Sequence, residues 1–245
     1  MTPDIWLHEW AHALLGHVTF ASSELRIAQL HEFSTERVGE QVIDHLGYPR
    51  NEVLQSLEIG ADEFAVQYCV RQILWGRDPI GDIAGPKIDL VDRLMIFSAA
   101  CSVFAVMWSR AEQQYSPDMS FYPSREMVLM SNNPDREFVA FKTTHPPAAL
   151  RYYRFCGFRD DLAREWDQLN NTKLMVGVSA SSGFFVCEYL SAIDKDFHQV
   201  QVETPGVFKT PTMKCLEAYQ ARLLGMGPKV APLLKEMGFV PTVDP

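Results

Sequence analysis

In PDIWLHEWAHALLGHV, residues 3–18, two histidines stand four apart inside a run patterned for a helix. Thr2-Pro3 supplies a cap followed by proline at the first helical position, and Asp4 suits the positive end of the helix dipole, so a helix is predicted from Pro3 to about Val18. Side chains four apart lie one turn apart on one face, so His8 and His12 can both reach one metal ion, zinc being bound by neutral imidazole nitrogens at ~2.0–2.1 Å. In the sequence His8-Glu9-Trp10-Ala11-His12, Glu9 then stands where it can take a proton from a zinc-activated water. Chance produces HExxH on the order of once per hundred chains of this size, so a second element is needed before it carries weight.

A catalytic zinc takes three protein ligands, and Glu58-Ile59-Gly60-Ala61-Asp62 offers two carboxylates on one face of a later helix. That helix is expected to start after Pro49, with Asn51 as its cap, and to end at Gly76. Gly60 and Ala61 are small enough to let it approach the first helix, and the apolar residues from Phe64 to Val70 bury it. Buried carboxylates need neutralising, which a zinc ion with its two histidines provides. The alternative is an exposed acidic first turn favoured by the helix dipole.

HEWAH followed by EIGAD resembles the gluzincin metallopeptidases, and Thr144-His145-Pro146-Pro147-Ala148-Ala149-Leu150-Arg151 resembles the HP-x4-R segment of the HtpX-like and CAAX-prenyl-protease family. The resemblance implies a zincin-like helical core with His8, His12 and Glu58 as zinc ligands and Glu9 as general base. It further implies that Asp62 orients a ligand histidine, that His145 donates to the oxyanion and that Arg151 braces the acidic helix. The residues alone leave His145 equally able to cap the helix that follows and Arg151 equally able to form a surface pair. The activity implied is zinc-dependent endopeptidase action on a peptide or protein substrate. The alternative is a non-catalytic, zinc-stabilised binding or regulatory protein on a truncated gluzincin scaffold.

Such peptidases place strands before the HExxH helix, one of which holds the substrate by backbone pairing, whereas seven residues precede His8. The strands are expected from an upstream segment or from the loop before Thr144, or else to be missing by truncation. The continuation to Gly16-His17 is similar to the ImmA-like peptidases. His17 stands five residues beyond His12, off the ligand face, and is expected merely to end the helix.

Composition bounds the rest. The chain has 245 residues, 47% apolar and 22% charged, enough to bury a core, and its net charge of −9 disfavours nucleic acid as a partner. Five cysteines without a CxxC pair read as reduced thiols, mostly buried, in a cytoplasmic protein, and no signal peptide is visible. The sixteen uncharged residues Leu94–Ser109 fall short of the ~20 needed to span a bilayer, so a helix buried on all sides is expected there, between about Lys87 and Gln114.

Further helices are expected from Ser22 or Ser23 to Gly47, from Pro146-Pro147 to Phe155, over Arg159–Leu169, Leu174–Ile193, Pro211–Leu224 and Pro228–Met237. A long loop from Tyr115 to Thr144 is expected to hold short strands at Met127–Met130 and Glu137–Phe141. His31 reads as a surface residue, His45 as one at a helix C-terminus, and Gly177–Ser181 lacks the context of a serine-nucleophile turn. The fold expected is mainly α, with a metallopeptidase domain over residues 1–157 and a helical C-terminal extension over 158–245.

Overall fold

The computed structural model describes residues 3–25, 42–43, 45–76, 88–115, 146, 148–175, 177–178 and 211–239. They form helices α1 (Pro3–Leu14) and α2 (His17–Ser23), strands β1 (Val42–Ile43) and β2 (Tyr48–Pro49), and helices α3 (Arg50–Trp75), α4 (Leu90–Tyr115), α5 (Ala148–Asn170), α6 (Pro211–Leu224) and α7 (Gly227–Glu236). The chain is mainly α. Its two strands pair antiparallel, Val42 opposite Pro49 and Ile43 opposite Tyr48.

Helix α3 is the axis of the arrangement, packing against α1, α4, α5, α6 and β2. Around its first half gather Phe20, Leu25, Leu46, Leu54, Leu57, Tyr219, Leu223 and Val230, which join α2, the hairpin, α6 and α7 into one apolar cluster. Around its second half a separate cluster is built from Val66, Val70, Ile73, Leu94, Phe97, Phe155, Phe158 and Leu162, from α4 and α5. Between the two, Ala61 meets Ala11 of α1 and Leu15 just beyond its end. Alanines at this crossing keep the side-chain layer thin, so the polar residues that α1 and α3 carry toward each other come within hydrogen-bonding distance.

Several expected boundaries move. The first helix stops at Leu14 instead of Val18, because Gly16 adopts a left-handed conformation (φ 75°) and α2 starts afresh at His17. Where a helix running to Gly47 is expected, β1 and β2 form a hairpin, with Gly47 (φ 71°) in its turn. His45 therefore lies in a turn, 3.1 Å from Glu24. Pro49 precedes the first residue of α3, so Asn51 is a buried helical residue and not the cap. The two short helices expected across 146–169 are one, α5, in which Gly157 faces open space, and the boundary expected at 157/158 falls inside it.

Among the described side chains of α4, Leu94, Phe97, Ser98 and Cys101 are buried and Ile96 is exposed, so this part of the helix is not buried on all sides. Among the described residues no helix is long and apolar enough to cross a membrane. Cys101 is buried, and Cys69 and Cys156 are partly so. The strands expected within 116–144, His31, His145 and residues 176 and 179–193 lie outside the described residues.

Gly16 makes two demands at once: a positive φ, and space that an added Cβ would take from the ring of Phe239. Gly16→Ala should therefore cost ~1–3 kcal/mol from the backbone conformation alone, with further loss from displacing Phe239. Urea melts of the two proteins check this; equal midpoints would show that the chain does not turn there.

Candidate metal centre

Ten of the thirteen residues from Asn51 to Glu63 are buried, and among them Glu52, Gln55, Glu58 and Asp62 are buried on α3 as fully as its leucines. Each has a partner from another helix. Glu52 accepts two hydrogen bonds from Arg222 of α6, at 2.7 and 3.0 Å, and Gln55 accepts one from the hydroxyl of Tyr219. Glu58 and Asp62 turn instead toward α1 and α5. The exposed acidic first turn is thus not what forms: both residues lie well inside α3, Glu58 at 6% and Asp62 at 2% exposure.

The carboxylate of Glu58 faces the two imidazoles of α1. Its Oε2 is 3.1 Å from His8 Nε2 and its Oε1 is 3.4 Å from His12 Nε2, while the two Nε2 atoms are 3.1 Å apart. The rings stand nearly edge to face, with centroids 4.7 Å apart. His8, His12 and Glu58 are thereby the buried group able to hold a metal ion among the described residues. A tetrahedral zinc with ligands at ~2.05 Å separates neighbouring ligand atoms by about 3.3 Å, close to all three of these edges.

Asp62 works from behind. Its Oδ1 is 2.9 Å from His8 Nδ1, the ring nitrogen on the far side from Glu58. Arg151, in the first turn of α5, donates to the same carboxylate from Nε at 2.7 Å and from Nη2 at 2.6 Å, a two-pronged contact between side chains that are both buried. It is not a surface pair.

Burial alone would raise the pKa of Asp62, but the Arg151 charge, with hydrogen bonds from His8 and Arg151, holds it below the ordinary value. Burial likewise opposes a charge on His8, yet the hydrogen bonds and charges of Asp62 and Glu58 outweigh it and raise His8 to about 10. This corner of the protein favours positive charge. A divalent cation between His8, His12 and Glu58 would answer the Glu58 charge in place of a protonated His8.

Glu9 is exposed beside His8 on α1, as is Trp10. His17, expected to be no more than a helix end, is buried, and its Nδ1 is 3.1 Å from His12 Nδ1. The signal for it is Gly16: a left-handed residue directly before His17 reverses the chain, so helical spacing from His12 no longer says where the ring goes. Gly60, expected to ease contact with the first helix, lies against this ring, an added Cβ standing 3.5 Å from His17 Cε1. Burial and the neighbouring His12 lower the pKa of His17 to about 3. No family model, curated protein or solved structure matches the chain.

Removing Arg151 would strand the Asp62 carboxylate in the interior. Arg151→Ala should cost ~3–5 kcal/mol, measured by urea unfolding at neutral pH. The folded pKa of Asp62 lies below its unfolded value, so its contribution is complete above about pH 4 and disappears only as acid titrates the folded carboxylate. A loss under about 1 kcal/mol would place the pair in solvent.

Proposed function

We propose that the chain is a zinc-dependent endopeptidase built on a zincin-like helical core. The observation that carries this reading is the convergence of His8 Nε2, His12 Nε2 and Glu58 on edges of 3.1 to 3.4 Å, with Glu9 exposed on the same helix. Among the described residues three side chains would hold the ion, the ligand number of catalytic zinc sites, which keep a position for water. When bound, zinc supplies a Lewis acid for the scissile carbonyl and lowers the pKa of a water to ~7.

The side chains divide the remaining work. Glu9 receives the proton of the attacking water and returns it to the leaving amine. Asp62 accepts the Nδ1–H of His8, which leaves the Nε2 lone pair directed at the metal, and Arg151 keeps Asp62 anionic and fixed. His145, the residue before Pro146 in the HP-x4-R segment, takes the role of donor to the oxyanion that the resemblance implies.

The purified protein should carry one zinc per chain by elemental analysis, and Glu58→Ala should weaken its retention. Less than a tenth of an equivalent, after purification without chelator and re-addition of zinc, would end the metallopeptidase reading. Glu9→Gln should keep the metal and the melting temperature but abolish cleavage of an unfolded protein substrate such as casein, because the amide cannot take up the proton. Turnover within threefold of the parent would remove Glu9 from the role of base.

A further inference from the structure

Of the two histidines on α1, His8 has an evident support in Asp62, while among the described residues no carboxylate stands behind His12; what stands there is the ring of His17. The Nδ1 atoms of His12 and His17 are 3.1 Å apart, with ring centroids at 5.1 Å and planes inclined by 69°. Two ring nitrogens at that distance need one hydrogen between them. A neutral imidazole carries only one N–H, so if His12 gives its Nε2 lone pair to a metal its hydrogen must be on Nδ1, and His17 Nδ1 must accept it.

We propose that His17 is a positioning residue for the metal centre, holding His12 in the Nδ1–H tautomer and in the ring orientation that aims Nε2 at the ion. The proposal rests on the zinc reading above and deepens it. His17 is suited to the task because it is itself immobilised: it is 3% exposed, set by the left-handed Gly16 at the start of α2, and backed by Gly60 of α3. His17 faces the Nδ1 side of His12, away from Nε2, so it is not a further ligand. The two ligand histidines are thus braced differently, His8 by an anionic acceptor and His12 by a neutral one. An anion behind His12 would add a second buried negative charge with no Arg151 to answer it, whereas a neutral imidazole supplies the acceptor without that cost.

The test compares zinc affinity, by competition with a chromophoric chelator, for the parent, His17→Leu and His17→Asn. Leucine keeps the volume and removes the acceptor, whereas asparagine returns an oxygen near the Nδ1 position. Loss of the acceptor should weaken zinc binding ~10–100-fold, and His17→Asn should recover most of it. A merely structural role predicts the reverse ranking, since leucine suits a buried site better than asparagine.

Equal affinity of all three proteins, or asparagine no better than leucine, overturns the proposal while leaving the metal reading intact. A parent that binds no zinc overturns both. Should His17→Leu not fold, long-range 1H–15N spectra of the zinc-loaded parent decide the matter. They should place the ring proton of His12 on Nδ1 and that of His17 on Nε2, and the opposite assignment overturns the proposal.

Discussion

Four polar side chains on the buried flanks of α3, Glu52, Gln55, Glu58 and Asp62, set the terms on which the other helices pack. A buried carboxylate without a partner costs several kcal/mol, so each of these residues obliges another element to bring a donor to it. Arg222 and Tyr219 of α6 answer the first two, which fastens the end of the described chain to the start of α3. Arg151 of α5 answers Asp62, and the imidazoles of α1 face Glu58. The apolar clusters at either end of α3 hold these elements in place, but the polar partners decide which side chain meets which.

The candidate metal centre follows from where that axis is crossed. Ala11, Leu15 and Ala61 form a thin apolar contact, and the polar groups beside it are forced within about 3 Å of one another. Behind the three ligand atoms lies a row of supports: Asp62 for His8, Arg151 for Asp62, and His17 for His12. Every one of these groups is buried, so the row has little freedom to relax and the ring orientations are fixed before any ion arrives. Glu9 is the exception, exposed to solvent, as the role of proton acceptor proposed for it requires.

Local patterning determined the existence of most helices and the pairing of side chains on each helix face, because both depend on residues close in sequence. Four-residue spacing placed His8 with His12 and Glu58 with Asp62, and Pro49, Gly76 and Pro146-Pro147 marked helix limits near those observed. Where the chain turns on a single backbone conformation, the pattern failed. Gly16 reads as a helix end, but nothing local says that the following residue swings back onto His12; that depends on α2 packing over Phe239 and Gly60. The hairpin at 42–49 escaped notice because its strands are two residues each, too short to show alternation.

Asp62 and Arg151 differ in the same way. Their residue types marked them as an acid and a base able to pair, yet only the packing of α5 along α3 made the pair buried and two-pronged. The sequence by itself determined the mainly helical fold and the donor atoms offered for a metal, since periodicity and side-chain chemistry are local properties. The tertiary structure alone decided which ring nitrogen faces which partner, because that is settled by the distance of approach between helices far apart in the chain.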